Sequence, residues 1–229
     1  MARRAAELRG EGEDVIDLTL GEPDFSAPEH VLAAARNALQ QRLGYTPANG
    51  LPALRSAIRR RLAMDRGLHY QDDQVAVGCG AKQIICNAFT ATLKAGDEVL
   101  VPAPYWASYP DMIRICGASP LIVPTTAAQG FRLTAEQLAS ALQRARSPRW
   151  LVLNAPGNPS GTLYSKEDLA ELARVLELHA DQHAQSARHH RGVGRPTGVP
   201  ARAQRDLPPA ARCRPGSPAR LLAAGGELS

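Results

Sequence analysis

Trp150-Leu-Val-Leu-Asn154-Ala-Pro-Gly-Asn158-Pro-Ser-Gly-Thr162 is the stretch on which the reading of this chain turns. It opens with an unbroken apolar run, Trp150 to Leu153. A strand buried on both faces reads that way, whereas a half-exposed strand alternates. The run ends in a loop with two prolines and two glycines in nine residues, Asn154 to Thr162, which is stiff and cannot continue as helix. Ser165-Lys-Glu-Asp168 then reads as a helix cap, and Leu169, Leu172 and Leu176 follow at helical spacing. Strand, rigid loop and helix make one βα unit.

The same alternation extends toward the N-terminus. Ser26-Ala-Pro-Glu29 predicts a capped helix start, with Val31, Leu32, Ala35 and Leu39 on one face. Residues 51–66 repeat the helical period through Leu54, Ile58 and Leu62. Strands are predicted over 74–78, 97–102, 120–125 and 150–154. Helices are predicted over 80–94, 107–116 and, capped by Thr134-Ala-Glu-Gln137, up to Ala145. Short strands alternating with longer helices imply an α/β fold with a mostly parallel sheet and flanking helices. In this class ligands sit beyond the C-terminal ends of the strands, so the loops there matter most.

Composition sets the outer bounds. The chain has 229 residues, 44% of them hydrophobic and 21% charged, as a globular protein would. Its four cysteines form no CxxC pair and no dense framework, which points to a reducing, cytoplasmic setting. The longest apolar run, Val31 to Ala35, is far short of the about 20 residues that a membrane helix needs. No pattern of metal ligands stands out.

The net charge of +5 is unevenly placed. Residues 1–179 hold 19 Lys+Arg and 19 Asp+Glu, whereas residues 180–229 hold 8 Arg and 3 acids. The neutral body gives no electrostatic reason to bind nucleic acid. The tail is also foreign in composition: Ala, Arg, Pro and Gly supply 30 of its 50 residues, and it lacks Phe, Tyr, Met, Ile, Asn and Lys altogether. An out-of-frame reading of a GC-rich gene produces that composition; a basic arm for nucleic acid is the competing view. Either way, residues 180–229 are expected to be a disordered tail.

Several loops could carry chemistry. Gly78-Cys-Gly-Ala-Lys-Gln83 puts glycines between an extended segment and a helix N-terminus, where free N–H groups can meet a phosphate. A left-handed turn explains the same glycines. Pro104-Tyr-Trp-Ala-Ser-Tyr109 gathers three aromatics in a chain that is only 4% aromatic, as a platform for a planar ligand or as core. Asn158, on its rigid loop, can present an amide to a polar ring atom.

In order, DLTLGEPDF (17–25), YTPANGLPALR (45–55), GAKQ (80–83), PAPYWASYPDM (102–112) and NAPGNPSGT (154–162) resemble the class I aminotransferases, fold type I pyridoxal-phosphate enzymes, and in particular the aspartate aminotransferase-like group. The resemblance covers roughly residues 7–179. It implies part of the large domain of that fold over 26–179, an N-terminal arm over 1–25, and transfer of an amino group between an aspartate-like or aromatic amino acid and a 2-oxo acid. It also implies pyridoxal 5'-phosphate as cofactor and a homodimer. By the same resemblance, Gly21 meets the substrate carboxylate through its backbone. Tyr45 reaches the cofactor phosphate of the neighbouring subunit, and Gly80, Ala81 and Lys82 cradle the phosphate. Trp106 stacks on the pyridine ring and Asn158 bonds its phenolic oxygen, so both also border the substrate.

The likeness stops short of the family's catalytic lysine. That residue lies in a later segment like SKxxxMTGWRxGY, after an Asp-x-x-Tyr strand, and neither occurs in residues 1–229. The three lysines, Lys82, Lys94 and Lys166, fit a phosphate turn, a loop and a helix start, so no Schiff-base lysine is assigned. The expectation is therefore a truncated, frame-shifted and inactive member. The alternatives are a fold type I lyase of the cysteine–sulfur type, and a non-catalytic protein with a nucleic-acid-binding basic tail.

Overall fold

The computed structural model describes residues 2–16, 25–41, 44–189 and 220–224. The chain divides into two compact units, Met1–Leu51 and Pro52–Ser229.

The first unit contains helices α1 (Ala2–Gly10) and α2 (Glu29–Leu39). Exposed pairs lace α1, Arg3 to Glu7 at 3.1 Å and Arg4 to Glu7 at 3.4 Å. Such surface pairs contribute only about 0.2–1 kcal/mol. Helix α2 begins later than its sequence suggests. Pro28 is its N-cap, with ψ of 146°, and no side chain caps it, so Ser26 stands outside the helix. The extended Pro28 backbone is what stops the helix from starting at Ser26.

The second unit holds a four-stranded parallel sheet in the order β2-β1-β3-β4: β1 (Glu98–Ala103), β2 (Ser119–Pro124), β3 (Pro148–Asn154) and β4 (Arg220–Ala224). Around it are α3 (Pro52–Arg66), α4 (Gly80–Thr92), α5 (Ser108–Ile115), α6 (Ala135–Arg144) and α7 (Lys166–His189). Strand pleating sends successive side chains to opposite faces, and the core follows this rule. Val99, Val101, Trp150 and Val152 pack with Ile85 and Phe89 of α4 and Met112 and Ile113 of α5. Leu100, Leu151 and Leu153 pack on the other face with Leu138 and Leu142 of α6 and Leu172 of α7. Each such buried side chain is worth about 1.5–3 kcal/mol. Trp150 meets Phe89 edge-on, with centroids 5.6 Å apart, and its indole N–H donates to Thr92 Oγ1 at 2.9 Å.

The caps read from sequence hold at α6 and α7. Thr134 Oγ1 accepts from Gln137 N while Gln137 Oε1 accepts from Thr134 N, which is a complete capping box. Ser165 and Asp168 exchange the equivalent bonds ahead of α7.

Two segments differ from expectation. Residues 74–78 are not a strand: Val75 is extended, with φ −120° and ψ 122°, but pairs with nothing among the described residues. An extended segment needs a neighbour to accept its hydrogen bonds before it becomes a sheet strand. Conversely, residues 220–224, within the segment read as a structureless tail, form β4, in register from Trp150↔Arg220 to Asn154↔Ala224. The outer edge of β3 offers a row of unpaired backbone groups, and Leu221-Leu-Ala-Ala224 is an apolar run able to use it. The described part of the same segment also lengthens α7, which runs on to His189.

Candidate functional site

Strands β1 and β3 are parallel neighbours, so the loops after Ala103 and Asn154 leave from the same edge of the sheet. The first loop carries Tyr105 and Trp106 and leads into α5 with Tyr109 in its first turn; the second carries Asn158. The Ala103–Pro104, Ala155–Pro156 and Asn158–Pro159 peptides are cis.

The turn into α4 is built for close backbone approach. A Cβ on Gly78 would lie 2.7 Å from Gln83 Oε1 and 2.8 Å from Ile84 Cδ1, so those side-chain ends would have to shift to admit one. Gly80 has φ of +83°, the left-handed region that glycine enters without penalty, and open space where a Cβ would be. Its N–H turns back to the Gly78 carbonyl at 2.9 Å. Cys79 N–H donates to the Gln83 side chain. The first N–H groups of a helix have no partner within it, so those of Ala81 and Lys82 lead the positive end of α4.

Lys82 links this turn to the aromatic loop. Its Nζ lies 4.9 Å from the centroid of the Trp106 ring, a cation–π distance. Trp106 in turn meets Tyr109 edge-on, with centroids 5.4 Å apart and planes at 87°. Tyr109 is buried, and burial pushes its phenol above the ordinary value. It borders a cleft that is also lined by Tyr105, Phe131, Asn158, Ser160 and Tyr164. The cleft is narrow, about 30 Å³.

The Asn158 loop closes on itself. Asn158 N–H donates to Asn154 Oδ1 at 2.9 Å, Gly157 N–H to the Thr162 carbonyl at 2.9 Å, and Gly161 N–H to the Gly157 carbonyl at 2.6 Å. Two bonds then hold its far end to residues 130–133. Thr162 Oγ1 donates to the Gly130 carbonyl at 2.9 Å, and Leu133 N–H donates to Tyr164 Oη at 3.0 Å. Burial raises the Tyr164 phenol above its ordinary value, while the bond from Leu133 pulls the other way.

Of the residues singled out in the sequence, Gly80, Ala81 and Lys82 open one helix, and Trp106 touches the last of them. Asn158 faces the same cleft as Tyr109. Gly21 lies outside the described residues. Tyr45 belongs to the first unit and is fully exposed. Neither Lys94 nor Lys166 lines the cleft; both are exposed, one after α4 and one at the first position of α7. Phe131, Thr162 and Tyr164 were not singled out. Their signal was weak: Gln129-Gly130 marks a turn, and nothing in the sequence brings that turn to the Asn158 loop. Among the described residues no three His, Cys, Asp or Glu side chains gather as metal ligands. No helix among them is long and apolar enough to cross a membrane.

Comparison with known proteins places this geometry. The family model for aminotransferase class I and II matches residues 13–180. The chain is 46% identical over 177 residues to an aspartate aminotransferase of Rhizobium meliloti, covering 77% of this chain and 43% of that protein. It is 45% identical over 182 residues to an aspartate/prephenate aminotransferase of Cereibacter sphaeroides, covering 78% and 44%. A crystal structure of the Rhizobium meliloti aspartate aminotransferase superposes with a TM-score of 0.73 at 46% identity, covering 78% of this chain and 44% of that one. The chain thus spans less than half the length of each of these relatives. With a matching model over most of its length, a parallel sheet that superposes, and the loops on one sheet edge, this chain belongs to the class I and II aminotransferase family.

Proposed function

We propose that residues 1–229 carry the phosphate and ring contacts of a pyridoxal-phosphate aminotransferase site, and that the amino group passes between an aspartate-like or aromatic amino acid and a 2-oxo acid. The observation that carries this reading is the Lys82–Trp106 contact, which sets a cation and an aromatic face side by side at the N-terminus of α4. The donor set suits a flat, phosphate-bearing ring. The N–H groups of Ala81 and Lys82, with the Lys82 ammonium, would hold the phosphate. The Trp106 face would lie against the ring, and the Asn158 amide would donate to its phenolic oxygen.

Pyridoxal phosphate, when bound, supplies the electron sink for bonds at the substrate's α-carbon. The side chains named here bind and orient. Gly21 N–H would meet the substrate carboxylate, and Tyr45 the phosphate in a partner copy of a homodimer. None of them moves the proton at the α-carbon. That step needs an amine held over the carbon, and we assign it to none of the three lysines in residues 1–229. The free cysteines Cys79, Cys86 and Cys116 suit a reducing compartment such as the cytoplasm.

The test is a titration of the 229-residue chain with pyridoxal phosphate and, in parallel, with pyridoxal, which lacks the phosphate. Lys82→Ala should weaken the phosphorylated ligand by about tenfold, the loss of one charge-assisted bond. It should leave pyridoxal unchanged. Equal weakening of both, or of neither, contradicts the assignment.

A further inference from the structure

We propose that residues 126–133 form a strut that holds the Asn158 loop in place, and that Thr162 is the positioning residue through which the strut acts. The inference rests on the reading above, in which Asn158 meets the ring oxygen of the bound cofactor.

The strut is over-determined. Gly130 and Phe131 follow one another in the left-handed region, with φ of +60° and +55°. Glycine adopts that conformation freely, but for a bulky aromatic it is an outlier that persists only when its surroundings enforce it. The surroundings here are visible. Phe131 N–H donates to the Thr126 carbonyl at 2.9 Å, as Gly130 N–H does to Ala127 at the same distance. Gln137, the capping residue of α6, reaches the Pro124 carbonyl and Gln129 Oε1, both at 3.2 Å. The turn is thereby fixed to the N-terminus of a packed helix.

The fixed turn grips the loop at two points. Thr162 Oγ1 donates to the Gly130 carbonyl and Leu133 N–H donates to Tyr164 Oη. A carbonyl oxygen can only accept, which commits the Thr162 proton to Gly130. Ser160 Oγ lies 2.8 Å from Thr162 Oγ1, so the same hydroxyl also steadies the middle of the loop. Among the described residues the exposed Asn158 is tied at the near end, through Asn154. Without the far tie, the amide would have to be ordered at the moment of binding, which weakens affinity.

The strut accounts for three features at once: a strained aromatic on the cleft wall, a buried threonine hydroxyl aimed at a turn carbonyl, and a tyrosine hydroxyl that accepts from a backbone amide.

A double-mutant cycle on the 229-residue chain tests it, with 4-deoxypyridoxine 5-phosphate as the probe. This analogue keeps the phosphate and the ring oxygen and has no aldehyde to react with a lysine. Thr162→Val should raise its dissociation constant about tenfold, the worth of one positioned hydrogen bond. Thr162→Ser, which keeps the hydroxyl, should bind like the parent. In an Asn158→Ala background, Thr162→Val should have no further effect, because the strut acts through Asn158. Near-UV circular dichroism checks that each variant is folded. If Thr162→Val is not, Tyr164→Phe removes the other grip and is read in the same cycle. An unchanged dissociation constant, or an effect that adds to that of Asn158→Ala, overturns the strut and leaves the site reading intact. Failure of the parent chain to bind, or of Asn158→Ala to weaken binding, overturns the site reading and the strut with it.

Discussion

Asp97 shows how much one buried side chain can organise. It is almost wholly buried, and its carboxylate accepts from Lys94 N–H at 3.0 Å and from Ser147 Oγ at 3.3 Å, with Arg149 Nε at 3.7 Å. Its carbonyl accepts from Ser119 N–H at 2.9 Å, at the start of β2. One residue thus ties the turn after α4 to the starts of β1, β2 and β3. Asp97→Ala would leave the Lys94 amide and the Ser147 hydroxyl without this acceptor, at a cost of about 2–3 kcal/mol. Urea denaturation should show that loss as a lower midpoint with an unchanged slope. The sequence shows Asp97 only as the last residue of an Ala-Gly-Asp turn, because a turn aspartate and a buried anchor look alike until the partners some 50 positions away are known. Lys82 and Trp106 were easier to find. Each stands at a strand-end or helix-start position where a ligand-facing residue is expected, and their mutual contact joins the start of α4 to the loop after β1.

At the scale of elements, legibility depended on whether the information was local. Capping is local, so Thr134 with Gln137 and Ser165 with Asp168 could be read directly, and both caps stand. Strand pairing is not local. Val75 and Val77 alternate as a strand should, yet 74–78 has no strand neighbour among the described residues, whereas Leu221 and Leu222 sit in an Arg/Pro-rich segment and pair with β3. The strut was invisible for the same reason, since Gly130 and Thr162 meet only through tertiary packing.

The tyrosines at the cleft carry a pH signature. Burial raises the phenols of Tyr109 and Tyr164 above the ordinary value of 10.0. The folded chain therefore keeps protons that the unfolded chain releases from about pH 10 upward. The stability they contribute is complete below that pH and is lost as the pH climbs through the folded values. Tyr109→Phe should leave stability at pH 7 nearly unchanged and flatten its decline above about pH 10, as followed by circular dichroism.

For the whole chain, the account turns on a division within the site. The proposed contacts for a phosphate and a flat ring come from the start of α4 and from the loops after β1 and β3, inside the second unit. Tyr45 falls in the first unit, and its role belongs to the proposed dimer. The proton-moving amine is assigned to no lysine of residues 1–229. On this account the chain binds pyridoxal phosphate non-covalently and, alone, does not transfer an amino group from aspartate to 2-oxoglutarate. The most direct measurement is to saturate the 229-residue chain with pyridoxal phosphate, reduce with borohydride, and map the peptides by mass. The account predicts saturable binding that is lost on gel filtration after reduction, with no stoichiometric pyridoxyl adduct on Lys82, Lys94 or Lys166. A stoichiometric adduct on any one of the three, accompanied by turnover that Trp106→Ala abolishes, would contradict it.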